Sequence, residues 1–279
     1  MDDLILKPLV RAAAAVNPIR PGDYQKDGLL YCGSCNTAKQ SRQMLSGKPI
    51  VLPCLCKCAT AARDDEDAAR RKREAQDRAE RARETGIYSQ DLRHATFAAA
   101  DGVDSGPLRV VKNYAENWEM FYRENTGLLL YGGVGTGKSF AAACLANHLI
   151  DRGINAVMLN FSEFLNILGD TRKDDRLDIF DRVSKCPLFI LDDFGAERNT
   201  PYSLEQMFNL VDTRVRSGRP LVITTNLGHS ELKAPTDLAH KRIFDRILEN
   251  CLPVFFDGGS RRADIARRKF ENAAEILRR

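Results

Sequence analysis

Eight consecutive residues carry the clearest chemistry in this chain: Gly132-Gly133-Val134-Gly135-Thr136-Gly137-Lys138-Ser139 matches the pattern G-x-x-x-x-G-K-[ST]. Glycines lack a Cβ, so the backbone N–H groups of such a loop can turn inward around a polyanion. Lys138 would then reach the β- and γ-phosphates of a nucleotide, and Ser139 would offer its hydroxyl to Mg²⁺. An ordinary glycine-rich turn is the alternative, but the loop lies between an apolar run and a helical pattern, as a phosphate-binding loop does.

A second polar group follows an apolar run. Residues 188–191 are all apolar and are followed directly by Asp192 and Asp193. The carboxyl ends of parallel strands meet at one edge of a sheet, so both carboxylates are expected beside the glycine-rich loop. We expect Asp192 to bind Mg²⁺ and Asp193 to polarise the attacking water, as in other phosphoryl-transfer sites. A solvated Asp-Asp turn after a strand is the plainer alternative.

The elements that must position these residues alternate along the chain. Apolar runs of β-strand character occupy 128–131, 156–159, 188–191, 221–225 and 253–256, and helical patterns occupy 140–152, 163–184, 203–217 and 236–250. Strands separated by helices of this length predict a parallel sheet covered on both faces. The fold class is therefore α/β. A dinucleotide-binding version is excluded, because Lys138 stands where the third glycine of G-x-G-x-x-G would fall.

Composition limits the function classes. The 279 residues are 43% hydrophobic, enough for one or two buried cores and too many for a disordered chain. The net charge of +4 is unevenly spread, because 1–58 and 261–279 are basic and the segment between them is slightly acidic. No basic signal opens the chain, and no run of about 18 apolar residues could cross a bilayer. We expect a cytoplasmic protein without membrane contact.

Five of the eight cysteines are clustered near the amino terminus. Cys32-Gly33-Ser34-Cys35 is followed by Cys54-Leu55-Cys56-Lys57-Cys58, a spacing typical of a tetrahedral Zn²⁺ site. Cys32 and Cys35 are the surer ligands, and two of Cys54, Cys56 and Cys58 would complete the four. Disulfides fit a reducing compartment less well. The other three cysteines stand singly in apolar segments, which indicates core positions: Cys144, Cys186 and Cys251.

Between these regions lies a segment made almost entirely of Ala, Arg, Asp and Glu. Residues 59–85 contain eight basic and eight acidic residues, with acidic-to-basic spacings of four. This spacing predicts a solvated helix that serves as a spacer, and a nucleic-acid arm is the alternative. The predicted organisation is a Cys-rich module at 1–58, a charged helical linker at 59–86, the α/β domain at 87–262 and a basic tail at 263–279.

Three strings together resemble one known family. They are the glycine-rich loop, Leu-Asp-Asp-Phe-Gly-Ala-Glu at 191–197 and Ile-Thr-Thr-Asn-Leu at 223–227. Over roughly 97–262 the chain resembles the AAA+ ATPases of the DnaC, DnaI and IstB group, bacterial and phage replicative helicase loaders with transposition relatives. The resemblance implies a P-loop sheet of strand order 5-1-4-3-2, binding of ATP with Mg²⁺, and ATP hydrolysis.

The resemblance also implies roles for further side chains. Asn226 resembles the sensor that hydrogen-bonds the γ-phosphate or the attacking water, and an Asn turn after a strand is the simpler alternative. Arg246 resembles the arginine finger that enters the ATP site of a neighbouring subunit, with Arg242 on the same helical face as its rival. A finger that acts in trans requires self-association.

The last resemblance lies at 259–262, where Gly-Ser-Arg-Arg is similar to the Gly-x-Ser-Tyr-Arg of the family. This match implies that Arg262 is a second sensor, which contacts the nucleotide bound by its own subunit. Arg261 stands where an aromatic residue is common, so the two arginines compete for the role. Both could instead belong only to the basic tail.

As a whole, the resemblance implies a loader that delivers a ring-shaped replicative DNA helicase to single-stranded DNA, with the amino-terminal portion contacting the helicase. The alternatives are a transposition helper on duplex DNA, a nucleotide-gated adaptor with little hydrolysis and, least favoured, a small-molecule kinase. Loaders of this group line a DNA channel with a helix inserted at the position of 161–185. Aspartates interleave with its basic residues, so a solvated face is the alternative for Arg172, Lys173, Arg176, Arg182 and Lys185. DNA contact or solvation is likewise open for Lys39, Arg42, Lys48 and Lys57.

Overall fold

The structure is a computed structural model, which describes residues 18–45, 47–100, 106–170, 173–195, 200–235, 237–260 and 270–271, without the side chains of 170 and 173–177. The chain forms two compact units, Met1–Ala75 and Gln76–Arg279. The division falls inside one helix. The predicted domain boundaries after 58, 86 and 262 are finer than this division and stay predictions.

The first unit contains two short antiparallel sheets. Strands β1 (Tyr24–Lys26) and β2 (Leu29–Tyr31) form one hairpin, and β3 (Gln40–Leu45) and β4 (Lys48–Pro53) form the other. Helix α1 (Lys57–Gly86) follows directly after Cys56. The charged segment is thus helical, as its charge spacing predicts.

Lys39 departs from both roles expected of it. Its ammonium donates to Asp23 Oδ2 and to the backbone oxygen of Pro18, each at 2.6 Å, and both partners of the ion pair have only 2% of their side chains exposed. Lys39 is therefore neither solvated nor available to DNA. The hydrogen bonds from Lys39 and from the backbone of Arg20 and Gly33 lower the pKa of Asp23 to about 2, so the pair is ionised at neutral pH.

The end of α1 also departs from the expected spacer. In the second unit, Ala79 and Ala82 pack against the buried core. Arg83 donates to Asn147 Oδ1 at 3.1 Å and forms an ion pair with Asp151. The segment lacks a continuous apolar stripe, but the small alanines between its charged residues allow these helical turns to pack against the core.

The second unit is built on five parallel strands: β5 (Gly127–Gly132), β6 (Ala156–Asn160), β7 (Leu188–Phe194), β8 (Leu221–Thr225) and β9 (Cys251–Phe256). Their order across the sheet is β6-β7-β8-β5-β9. Numbered within the sheet, this is 5-1-4-3-2 read from the other edge, so the expected order is confirmed. The carboxyl ends of β5, β7 and β8 lie at the same edge of the sheet, so the polar residues at these ends meet there.

Helices cover both faces of this sheet. They are α2 (Gly106–Glu116), α3 (Trp118–Arg123), α4 (Lys138–Asp151), α5 (Phe161–Asp170), α6 (Lys173–Lys185), α7 (Pro201–Arg216), α8 (His229–Lys233) and α9 (Leu238–Asn250). The sequence did not lead us to expect α2 and α3, which pack with α4 against one face. None of the helices in the described ranges has the length and apolarity needed to span a bilayer.

Alternation along the strands divides the core in two. Leu128 and Leu130 of β5 point into the cluster that contains α2 and α4, whereas Leu129 points into the cluster on the opposite face. Cys144, Cys186 and Cys251 are all buried, as expected. A strand buried on both faces reads as a continuous apolar run, which is why these strands are visible in the sequence.

Arg214 of α7 is completely buried without a carboxylate partner among the described residues. Its guanidinium instead donates to four backbone oxygens, those of Val183, Cys186, Pro187 and Pro220. Burial lowers its pKa to about 10. The guanidinium thereby joins the end of α6 to the turn before β8. Its contact with Pro187 lies directly before β7, the strand that carries Asp192 and Asp193.

Candidate functional site

The glycine-rich loop connects β5 to α4, whose first residues are Lys138 and Ser139. Gly132, Gly135 and Gly137 all have positive φ angles, of 137°, 80° and 99°. A Cβ at Gly132 would lie 2.5 Å from the backbone oxygen of Phe256. Glycine is therefore required here, because both the backbone conformation and the close approach exclude a side chain. The loop precedes the positive end of α4, a favourable place for a phosphate.

Lys138 is buried in this loop. Its ammonium donates to the backbone oxygens of Gly132 and Gly133 at 2.9 and 2.7 Å and to Asn226 Oδ1 at 2.8 Å. An ammonium has three N–H donors. Three acceptors thus hold the charge beneath the loop, and a phosphate would have to replace at least one of them.

Asp192 lies at the end of β7 and is half-buried. Thr224 of β8 donates to its Oδ1 at 2.6 Å, and a side-chain hydrogen bond joins it to Ser139. Burial raises the pKa of Asp192, and the hydrogen bonds with Thr224 and Ser139 act in the opposite direction. Ser139 and Asp192, the two residues expected to hold Mg²⁺, are therefore neighbours at this edge of the sheet.

Asn226, just after β8, forms hydrogen bonds with both Lys138 and Asp193. Its Oδ1 accepts from Lys138, and its Nδ2 donates to Asp193 Oδ1 at 3.0 Å. An ammonium can only donate and a carboxylate can only accept, so the two neighbours fix which amide atom faces which side. The edge of the sheet thus brings together Lys138, Ser139, Asp192, Asp193 and Asn226.

The segment that follows β9 also approaches the loop. A Cβ added to Gly135 would lie 2.3 Å from Ser260 Oγ. Arg261 and Arg262, the rival second sensors, lie outside the described residues. Their roles stay predictions. Ser260, the residue directly before them, lies against the phosphate-binding loop.

Arg246 lies on α9 and is held by α7 of the same chain. Its Nη2 lies 2.8 Å from Asp212 Oδ1, a contact that is an ion pair without a hydrogen bond. The second oxygen of Asp212 pairs with Arg216 at 2.6 Å. Arg246 remains 35% exposed, and Arg242 is exposed. Nothing in the sequence pointed to Asp212 as the partner of Arg246, because α7 and α9 are separate segments of the chain.

Two of the basic residues considered for DNA contact have protein partners. Arg182 donates to the backbone oxygen of Thr85 at 2.7 Å, and Lys185 pairs with Asp181 at 2.8 Å. Arg172 and the side chains of Lys173 and Arg176 lie outside the described part of the chain. Both basic side chains described in this segment, Arg182 and Lys185, therefore have partners within the protein.

In the first unit, four cysteines converge. The sulfur atoms of Cys32, Cys35, Cys56 and Cys58 all lie within 4.8 Å of one another. Zn–S bonds of about 2.3 Å in a tetrahedron place sulfurs about 3.8 Å apart, so the four fit a single Zn²⁺ with small adjustments. Cys54 is outside the group and contacts the backbone oxygen of Ala38. Among the three later cysteines, the structure thus groups Cys56 and Cys58 with Cys32 and Cys35.

Thr37 supports this cluster, a role that the sequence did not reveal. Its Oγ1 accepts the backbone N–H of Lys57 at 3.0 Å and lies 3.0 Å from Cys35 Sγ. The hydrogen bond with Thr37 lowers the pKa of the Cys35 thiol to about 5. A low thiol pKa favours the thiolate, which is the form that binds metal ions.

Comparison with known proteins identifies the family. The profile of the family described as IstB-like ATP binding protein matches residues 60–269. The chain belongs to this family. The IstB-like match includes the phosphate-binding loop, the strand-end aspartates and Asn226, so the resemblance seen in the sequence is confirmed.

Named relatives of this IstB-like chain act in replication. The replicative helicase loader DnaI of Bacillus subtilis is 28% identical over an alignment of 186 positions, which covers 62% of this chain and 60% of DnaI. The replicative helicase loader DnaC of Escherichia coli K12 is 25% identical over 169 residues, 59% of this chain and 68% of DnaC. The chain thus spans less than two thirds of the length of DnaI.

Among solved structures, a crystal structure of DnaI superposes with a TM-score of 0.52 at 22% identity, covering 61% of this chain and 95% of that one. At this identity the likeness concerns the fold alone. It agrees with the five-stranded sheet of the AAA+ type described above.

Proposed function

We propose that this protein is an ATP-dependent helicase loader, which hydrolyses ATP with Mg²⁺, binds single-stranded DNA and delivers a replicative hexameric helicase to it. The observation that carries the proposal is the contact network at the sheet edge. Lys138, Asn226 and Asp193 form one chain of hydrogen bonds. Beside it, Thr224 donates to Asp192, which has Ser139 as a neighbour. A binding loop without hydrolysis would not need the second carboxylate.

The first step in the proposed mechanism is an exchange at Lys138. A triphosphate brings oxygens that compete with Gly132, Gly133 and Asn226 for the ammonium. Asn226 is the acceptor that can turn most freely, because it is an exposed side chain rather than a backbone oxygen. Its release from Lys138 would free Oδ1 to accept a hydrogen bond from the attacking water, whereas a γ-phosphate oxygen would be reported by the second N–H of Nδ2.

Ser139 and Asp192 fit Mg²⁺, since a neighbouring hydroxyl and carboxylate supply oxygen ligands of the kind it prefers. When bound with the nucleotide, Mg²⁺ neutralises charge on the phosphate oxygens. Asp193 is exposed and can accept a hydrogen bond from a water molecule. We assign it to orienting that water for attack, with Asn226 holding its carboxylate from the other side.

Arg246 would complete the ATP site of a neighbouring subunit, and Arg262 would contact the nucleotide of its own. Asp212 holds Arg246 in a fixed direction while leaving part of its guanidinium exposed. A planar, permanently charged donor suits the charge that develops on a transferring phosphoryl group. The protein would therefore hydrolyse ATP faster when its subunits associate.

For the first unit we propose a structural Zn²⁺ held by Cys32, Cys35, Cys56 and Cys58. Four thiolates are a donor set that selects zinc, and the ion would tie the hairpins to the start of α1. Cys32 follows the last strand of the first hairpin directly, and Cys56 and Cys58 follow the second hairpin. The four ligands therefore link both sheets, so losing the ion should unfold this unit first. In keeping with the resemblance, we assign contact with the helicase to this amino-terminal part of the protein.

Cys54→Ser is expected to retain one Zn²⁺ per chain, whereas Cys56→Ser should lose it. Cys56 is inside the sulfur cluster and Cys54 is outside it, and removal of one of four ligands leaves an incomplete tetrahedron. Metal analysis of the two purified full-length proteins makes the comparison. Equal zinc content in both variants would contradict the assigned ligand set.

The proposed function is tested by ATP turnover measured alone, with single-stranded DNA, and with single-stranded DNA plus a hexameric replicative helicase. We expect association of the chain with the helicase in size-exclusion chromatography, and turnover that changes when both partners are present. Lys138→Ala is the control, because it should abolish turnover without altering the amino-terminal unit. A chain that binds neither the helicase nor single-stranded DNA contradicts the proposal.

The same experiment separates the alternatives. The IstB-like match makes a transposition helper the second candidate, and binding to duplex DNA with a transposase instead of a helicase would favour it. Binding of ATP and helicase without measurable turnover would indicate a nucleotide-gated adaptor.

A further inference from the structure

The strand that carries Asp192 and Asp193 is irregular where these residues lie. Leu191 of β7 pairs with Ile223 of β8, and the next pair is Phe194 with Thr225. Asp192 and Asp193 therefore both lie opposite one residue, Thr224. Two residues against one is the arrangement of a β-bulge, which leaves the extra residue outside the ladder of backbone hydrogen bonds.

The bulge places Asp193 in a conformation that is uncommon for a residue with a side chain. Its φ is 54°, in the left-handed region. Its backbone N–H does not continue the regular ladder and needs another acceptor, because an unpaired N–H in a partly buried strand is costly. The hydroxyl of Thr224 supplies that acceptor, with a distance of 2.9 Å between Asp193 N and Thr224 Oγ1.

The same hydroxyl has only one hydrogen to donate. Asp193 N–H is itself a donor, so the hydrogen of Thr224 is left for Asp192 Oδ1, at 2.6 Å. Thr224 is 1% exposed, so water does not compete for either bond. One hydroxyl thus fixes the backbone of Asp193 and the side chain of Asp192 together.

We infer that Thr224 is a positioning residue for ATP hydrolysis, which sets the Asp192 carboxylate for Mg²⁺ and the Asp193 carboxylate for the attacking water through one shared hydroxyl. This inference rests on the proposed function. It adds a group that touches neither nucleotide nor metal but holds the residue assigned to Mg²⁺ and the residue assigned to the attacking water. Residues that orient a metal ligand commonly change metal affinity by about 10- to 100-fold when removed.

Thr225 provides a matched control on the same strand. It is fully buried, its Oγ1 donates to the backbone oxygen of Phe194 at 2.7 Å, and it accepts the backbone N–H of Leu227 at 3.1 Å. Thr225→Val therefore removes the same number of hydrogen bonds as Thr224→Val, one donated by the hydroxyl and one accepted from a backbone N–H. Neither of its bonds involves a carboxylate.

The experiment titrates Mg²⁺ against binding of a fluorescent ATP analogue and against ATP turnover, in the full-length chain. Thr224→Val keeps the shape and removes the hydroxyl, and we expect it to raise the half-saturating Mg²⁺ concentration by about 10-fold or more. Thr224→Ser keeps the hydroxyl and should stay near the unmodified protein, as should Thr225→Val. Thermal unfolding of all variants checks that they are folded.

Either of two results would overturn the inference. An unchanged Mg²⁺ requirement in Thr224→Val, or an equal rise in Thr225→Val, would show that the hydroxyl only stabilises the strand. Should valine prevent folding, Thr224→Cys, with a weak S–H donor of similar size, is read in the same way. Asp192→Asn separates the two proposals: if it leaves the Mg²⁺ requirement unchanged, the proposed Mg²⁺ site itself fails and the inference falls with it.

Discussion

Asp193→Asn is expected to lower ATP turnover by about 10²-fold or more, because the amide cannot polarise a water molecule as a carboxylate does. Affinity for ATP should change little, since Asp193 bonds to Asn226 and not to the loop. The substitution leaves the backbone intact, because asparagine tolerates the left-handed φ of 54° found here. Phosphate release and binding of a fluorescent ATP analogue measure the two quantities separately.

Asp64→Asn on the exposed face of α1 is a suitable control for this prediction. It removes the same charge by the same isosteric change, at a position far along the chain from the loop. Turnover by Asp193→Asn equal to that of Asp64→Asn would show that Asp193 does not act in hydrolysis. The protein would then be better described as a nucleotide-gated adaptor.

Arg246→Ala is expected to lower turnover on the order of 10³-fold, the lower end of the effect of arginine fingers elsewhere. If the finger acts in trans, mixing Arg246→Ala with Lys138→Ala should restore measurable turnover. In the mixed assembly, an intact loop on the first variant meets an intact finger on the second. Steady-state phosphate release, measured for each variant alone and for the mixture, provides the test.

A mixture of Lys138→Ala with Asp192→Asn is the matched control, because both defects lie in the same ATP site and neither chain can complete the other. Arg242→Ala, mixed in the same way, tests the rival finger. No recovery in the Arg246→Ala mixture would place the role of Arg246 within its own chain, where the ion pair with Asp212 already holds α9 against α7. Thermal unfolding of Arg246→Ala measures how much that pair contributes to stability.

Much of the site could be predicted from local sequence. The glycine-rich loop lies between an apolar run and a helix, Asp192 and Asp193 follow the apolar run of one buried strand, and Asn226 follows another. Such strands appear as short apolar runs, and their ends mark the carboxyl edge of a parallel sheet. The strand expected at 188–191 is longer in the structure, because β7 continues through a bulge at the two aspartates and ends at Phe194.

The first unit was much less predictable. Its described strands have three to six residues each and none of these residues is buried, so the alternation that marks a strand is weak. Lys39 looked like one more surface lysine, since nothing near it in sequence announces Asp23 as a buried partner. The cysteine spacing predicted a four-sulfur site but could not choose among Cys54, Cys56 and Cys58.

Sequence alone was thus sufficient for the identity of the chemical groups and for the edge of the sheet at which they meet. Both depend on neighbours along the chain and on the rule that parallel strands end together. Only the tertiary structure decided which groups contact each other: Thr224 with both aspartates, Asp212 with Arg246, and Cys56 and Cys58 with the first cysteine pair. Such contacts depend on strand register and helix packing between distant segments, where a shift of one residue exchanges one set of partners for another.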